Sequence, residues 1–143
     1  MMRSTLWLAA AAVLLTTSSA WSACTVNVSG VSFGSYDTFE IGNLHGAGSI
    51  DVTCDVSTTY YISMSPGQGS FAARLLLNGS HQLFYNLYIG AARVTVWGDG
   101  TGNTVTVSRT GIAEQHTVYA SIPARQNAFI GSYADTVVVT VTF

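Results

Sequence analysis

The sequence predicts an all-β domain, an antiparallel sandwich or barrel. Apolar residues recur at period two, clusters of Gly, Ser and Asn interrupt them at intervals of about 8–12 residues, and no stretch has helical spacing. Val26 and Val28 alternate after Cys24 and give the first strand. Ile50, Val52 and Cys54 alternate and then meet Val56; Tyr60 and Ile62 open a further run that stops at Pro66-Gly67. Tyr60 and Tyr61 are adjacent, so on a strand one of them faces out. Later runs are Arg74 to Leu77, Leu83 to Ile89, Val94 to Trp97, Thr104 to Val107, Thr117 to Ile122 and Asp135 to Phe143, for about nine strands in all. Gly98-Asp-Gly-Thr-Gly102 reads as a hairpin turn.

Composition narrows the function classes. The 143 residues include 5 Lys+Arg, none of them lysine, and 7 Asp+Glu; charged residues are 8% and hydrophobic ones 48%. So apolar and weakly charged a chain buries a core rather than staying disordered, and its length suits one domain. Arg3, Arg74, Arg93, Arg109 and Arg125 are scattered singly, and the net charge is -2, so no basic stripe exists to neutralise phosphates. Nucleic acid is not an expected partner.

The N-terminus accounts for part of the apolar excess. Arg3 precedes an unbroken run from Leu6 to Leu15, too short for a bilayer span and of the length of a signal-peptide core. Small residues at Ala20 and Ser22, or at Ser18 and Ala20, fit a signal-peptidase site, with cleavage between Ala20 and Ala23. Residues 1–22 are therefore expected to be a cleaved signal peptide and residues 23–143 the exported domain. Export makes Cys24 and Cys54, the two cysteines, candidates for a disulfide. Closing that loop stabilises by about 3–4 kcal/mol in the chain-entropy model. The competing reading is a lipoprotein acylated at Cys24, although Trp21 stands where such signals usually carry Leu.

The terminal run Asp135-Thr-Val-Val-Val-Thr-Val-Thr-Phe143 places Val137, Val139, Val141 and Phe143 on one face and Thr136, Val138, Thr140 and Thr142 on the other. A long, uncharged apolar strand is a liability at a sheet edge, where its unpaired backbone templates aggregation. Either it lies in mid-sheet, or a strand from another polypeptide completes the sheet.

Several segments in order resemble one family. These are Cys24, Val31-Ser-Phe33-Gly34-Ser-Tyr36, Ile50-Asp-Val-Thr-Cys54, Tyr61-Ile-Ser-Met-Ser-Pro-Gly67 with Arg74, Leu83-Phe-Tyr85-Asn86-Leu87-Tyr88, Trp97-Gly98-Asp99-Gly100, Ile122-Pro123-Ala-Arg-Gln126, and Gly131-Ser-Tyr133-Ala-Asp135 before the valine-rich end. Together they resemble the spore coat U domain, the fold of subunits of archaic, Csu-type chaperone–usher pili. The resemblance implies an immunoglobulin-like antiparallel β-sandwich lacking one strand. In such subunits a periplasmic chaperone supplies that strand first, and a neighbouring subunit supplies it after passage through an outer-membrane usher. It implies secretion to the periplasm and then to the cell surface or fimbrium, with roles in adhesion or biofilm formation. Val137, Val139, Val141 and Phe143, with Val26 and Val28, would line the chaperone and donor-strand groove. Polymerising members carry about a dozen or more residues before the first cysteine. Here almost nothing lies between the expected cleavage and Cys24, which suits a subunit that accepts a strand without donating one, at a tip. Tip adhesins of the family usually have two domains, and one is expected here. The alternatives are a spore-coat or cell-surface protein that is not polymerised, and a small secreted binding module or lectin.

No catalytic, cofactor or metal site is expected. His45, His81 and His116 lie far apart in apparent surface loops. Asp99 alone lacks the several oxygen ligands calcium requires, and no nucleophile elbow or dinucleotide fingerprint occurs. Asp51 and Asp55 alternate with core positions and should face solvent. Phe33, Tyr36, Phe84, Tyr85, Tyr88 and Trp97 are expected in the core. Phe39, Ile41 and Phe71, apolar residues in apparent turns, are candidate exposed contacts.

Overall fold

The computed structural model describes residues 22–143; the expected signal segment lies outside them apart from Ser22. Among the described residues all regular structure is β: β1 (Cys24–Ser32), β2 (Leu44–Met64), β3 (Arg74–Asn78), β4 (His81–Tyr88), β5 (Val96–Trp97), β6 (Thr104–Val105), β7 (Val107–Ile122) and β8 (Val139–Thr142). Their order is β1-β2-β7-β4-β5-β6, with β3 added to β4 and β8 to β2. The architecture is an immunoglobulin-like antiparallel β-sandwich.

Two expected runs, Ile50 to Val56 and Tyr60 onward, are one strand. β2 pairs with β7 from Leu44 opposite Ile122 to Thr53 opposite Ala113, and pairing resumes with Thr58 opposite Gly111. The extra β2 residues between these points form a bulge, which bends the ladder without ending it. The expected runs Thr104 to Val107 and Thr117 to Ile122 divide differently: β6 ends at Val105 and β7 runs unbroken from Val107. The Gly98–Gly102 loop is not a hairpin turn, because β5 and β6 pair in parallel, Val96 with Thr104 and Trp97 with Val105.

The core follows the alternation of the long strands. Ile50, Val52, Cys54, Tyr60, Ile62 and Met64 of β2 meet Leu83, Tyr85 and Leu87 of β4, Val118, Ala120 and Ile122 of β7, and Trp97. Each large side chain buried this way stabilises by about 1.5–3 kcal/mol. Trp97 donates its indole N–H to the Ile62 carbonyl at 3.1 Å, which removes the cost of burying it. Phe84 departs from the expected core and is exposed. It alternates with Leu83 and Tyr85, so the strand's own period turns it outward.

β1 carries a bulge between Ser29 and Ser32 that folds tightly onto β2. A Cβ on Gly48 would lie 2.6 Å from the Ser29 carbonyl oxygen, and one on Gly46 would lie 2.7 Å from that of Ser32. The two glycines let the bulged backbone close over β2. Beyond the end of β7, Gln126 turns back to β4: its Oε1 accepts the Phe84 N–H at 2.7 Å, and its Nε2 donates to the Phe84 carbonyl at 2.9 Å.

An open groove between the first and last strands

β1 and β8 pair with the same edge of β2. β1 takes the first half, with Cys24 opposite Cys54 and Val28 opposite Ile50; β8 takes the second, with Val139 opposite Met64 and Val141 opposite Ile62. Between these two strands the sandwich is open. A groove of about 1070 Å³ has Val28 to Thr38 along one wall, Ala128 to Val137 and Val139 along the other, and Ile50, Met64, Leu83, Leu87, Val118 and Ile122 in its lining. Its interior is thus the domain's own hydrophobic core. Directly opposed residues in a ladder project to the same side of the sheet, yet Val28 is 55% exposed where Ile50 is 0% exposed. Nothing in the described chain covers Val28 on its core side.

The structure places the six expected groove residues as follows. Val28, Val137 and Val139 line the groove. Val26 sits one step back along β1, opposite Val52 and exposed. Val141 packs on the core beside Ile62. Phe143 lies past the end of β8, its ring centroid 6.1 Å from that of Tyr60. The expected alternation holds from Val137 to Thr142, with Val137, Val139 and Val141 half-buried and Val138, Thr140 and Thr142 exposed, but Phe143, expected on the inner face, is exposed at the chain's end. Much of both walls, Val31 to Thr38 and Ala128 to Ala134, has no period-two signal; only Phe33, Tyr36 and Tyr133 within them hinted at packing. Tyr36 holds its wall to the body, its hydroxyl donating to the Pro123 carbonyl and accepting from the Gln126 N–H, both at 2.8 Å.

Cys24 and Cys54 are joined in a disulfide that pins the start of β1 to β2. With its thiol bonded, Cys24 is not free for acylation. Phe39 and Ile41 are exposed at 89% and 77%, in the loop before β2. Phe71 is not a free loop residue: it is half-buried, with the Arg74 guanidinium 5.5 Å from its ring centroid and its carbonyl accepting from Asn86 Nδ2.

A polar junction lies under the Ala128–Val139 wall. Asp135 Oδ2 accepts from the Tyr85 hydroxyl at 2.6 Å, and Oδ1 accepts from the Gln68 and Thr136 N–H groups at 3.0 and 2.7 Å. Burial, reinforced by the bonded Asp135 carboxylate, raises the Tyr85 phenol well above its ordinary range. Nearby Arg74 is wholly buried, donating to Asn86 Oδ1 and to the carbonyls of Ser65 and Trp97. Its Nε has no partner, and burial lowers its pKa.

One histidine departs from its expected surface position. His116 is buried on β7, its Nε2 2.7 Å from the Tyr60 hydroxyl. Burial, and secondarily Arg109, lowers its pKa, while burial and then Glu114 raise that of Tyr60. His81 stacks on Phe129 with centroids 4.1 Å apart, and His45 is exposed on β2. His116 lies on the inward period of β7, one residue before the expected run Thr117 to Ile122, while β7 itself starts ten residues before that run, at Val107. Asp51 accepts from Gln115 Nε2, and Asp55 from the Ala23 N–H. Asp99 closes its own loop by accepting from Thr101, which lowers its pKa. Among the described residues no group of His, Cys, Asp or Glu is placed to hold a metal ion, and no helix is long and apolar enough to cross a membrane.

The sequence matches the family model described as the Spore Coat Protein U domain over residues 9–140. Protein U of Myxococcus xanthus is 33% identical over 127 residues, spanning 79% of this chain and 71% of that protein. Among solved structures the chain is similar to one in the CsuC–CsuE chaperone–tip adhesion subunit pre-assembly complex from archaic chaperone-usher Csu pili of Acinetobacter baumannii. The TM-score is 0.61 at 23% identity, covering 86% of this chain and 40% of that one, so the likeness is one of fold.

Proposed function

The chain belongs to the Spore Coat Protein U domain family, and on that premise we propose that it is an exported structural subunit of a surface fibre of the chaperone–usher kind, completed by a strand from another polypeptide. Residues 1–22 would direct export, and residues 23–143 would form the mature subunit. The groove would receive a strand from a periplasmic chaperone, and after passage through an outer-membrane usher, one from a neighbouring subunit. The observation that carries the reading is the contrast between Val28 and Ile50: the core-side face of β1 stands uncovered along a groove flanked by two strands, the place a further strand would fill. The crystallised relative, a subunit captured with its chaperone, supports the same assignment of partner.

Within such a fibre this subunit would sit at or near a tip and serve adhesion, with Phe39 and Ile41 as contact residues. Their exposure beside a folded scaffold supports this. The test is export of the full chain to a bacterial periplasm with and without a co-expressed chaperone of this class. Alone it should be degraded or aggregate, and with the chaperone it should be recovered as a complex. A lone chain recovered from the periplasm in the same yield without the chaperone as with it would overturn the proposal. That outcome would favour the second reading, a coat or surface protein with a self-sufficient fold, to which the family's description also points.

A further inference from the structure

Gly67, Tyr85 and Asp135, widely separated in the chain, meet at one point under the groove. Asp135 opens the terminal segment that becomes β8, and its carboxylate is the acceptor for a floor residue, Tyr85, and for the Gln68 backbone of the loop after β2. Gly67 makes room for it: at φ 67° its backbone comes so close that a Cβ there would overlap Asp135 Oδ2. Either side of Asp135 the segment has only sparse backbone support. Ala134 exchanges two hydrogen bonds with Leu77, at 2.8 and 3.1 Å, and Val138 one with the Ser65 N–H and one with its hydroxyl, both at 2.9 Å. Between these two clamps, Asp135 is the tie from wall to floor.

We propose that the Tyr85–Asp135 pair, seated on Gly67, is a positioning device that holds the β8 wall at strand-accepting width while the groove is empty. The inference rests on the strand-accepting reading above. A carboxylate is suited to the task because one group accepts from three donors on three segments, and hydrogen bonds to an ionised acceptor are the strong ones. The substitution Asp135→Asn would keep the shape but lose the charge and present a donor where Tyr85 also donates. Without the tie, the wall would be in place for only a fraction of the time. A strand that needs the wall would then bind more slowly by that same fraction.

The test uses the oxidised full chain refolded at low concentration, Asp135→Asn, and Tyr85→Phe as the milder variant should the first not fold. The probe is a synthetic peptide of about ten residues alternating Val and Thr with a terminal lysine for solubility, a length matched to the wall. Hydrogen exchange at the Val139–Thr142 amides should accelerate by about tenfold or more, the scale of one lost charge-assisted bond. Exchange in the β2–β7 ladder should not change. Peptide association should slow by a similar factor with dissociation little affected. Unchanged β8 protection in both variants, or equal acceleration throughout the sheet, would overturn the device. A wild-type chain that does not take the peptide would instead count against the strand-accepting reading, leaving the exchange experiment to judge the pair.

Discussion

Val28 and Ile50 are directly opposed in the β1–β2 ladder and project to the same side of the sheet, yet the first is 55% exposed and the second 0% exposed. The pair therefore separates what holds the lone domain together from what an incoming strand would use. Ile50→Ala should destabilise the isolated chain by about 2–5 kcal/mol through lost burial and a cavity. Val28→Ala should change it by less than about 0.5 kcal/mol, as surface substitutions do, but weaken binding of an alternating Val/Thr peptide. Urea unfolding and peptide titration of both variants check this; equal stability losses would contradict it.

Replacing Cys24 and Cys54 together by serine should lower stability by about 3–4 kcal/mol, the cost of freeing the closed loop. Because β1 forms a groove wall, the variant should also lose peptide binding before it loses the β2–β7 ladder. Circular dichroism alongside peptide fluorescence would show the two transitions separating.

Arg74 spans three acceptors, Asn86 and the Ser65 and Trp97 carbonyls. A lysine ammonium is a point donor that cannot reproduce the planar fork, so Arg74→Lys should cost about 2–3 kcal/mol, the penalty for leaving buried acceptors unmet. Equilibrium unfolding measures it. A loss within error of zero would mean that the backbone carbonyls find water.

Burial lowers the pKa of His116 in the fold, so the unfolded chain binds the proton more readily. The neutral ring's contribution is complete above the unfolded value of about 6.5 and is lost as pH falls through it toward the folded value. His116→Gln keeps a partner for Tyr60 and should flatten this part of the stability–pH curve. Unfolding free energies from pH 8 down to pH 5 test the sign: a wild type gaining stability over that descent would refute it.

Phe39→Ser with Ile41→Ser should leave the melting temperature within error, since both side chains are exposed, and, if the chain serves adhesion as proposed, reduce its attachment to an apolar surface. Attachment that survives the double substitution would remove these residues from the contact.

Much of this architecture could be read from residue order. The period-two placing of Val137, Val139 and Val141 gave the inward face of the last strand, although its ladder begins only at Val139 and not at Asp135, and two cysteines behind an expected signal peptide suggested their own bond. Adjacent Tyr60 and Tyr61 had to split, and they do, with Tyr60 buried and Tyr61 exposed. Other features were hidden for physical reasons. The continuity of β2 through Ser57 is concealed because a bulge and a break look alike without the partner strand. The groove walls at Val31–Thr38 and Ala128–Ala134 are largely irregular backbone held by tertiary hydrogen bonds, which leave no periodic trace. Asp135 and Tyr85 are 50 positions apart, and no local pattern connects them.

β4 has an open stretch beyond the groove, at Phe84, where β7 has already ended. There Gln126 occupies the backbone N–H and C=O with its side-chain amide, as a neighbouring strand would. An amide offers the same donor and acceptor as a peptide group but cannot propagate a ladder. A foreign strand arriving at this molecule thus finds that site already taken. If the groove takes a strand as proposed, a single glutamine keeps the chain from joining at the wrong edge and helps separate ordered assembly from indiscriminate clumping.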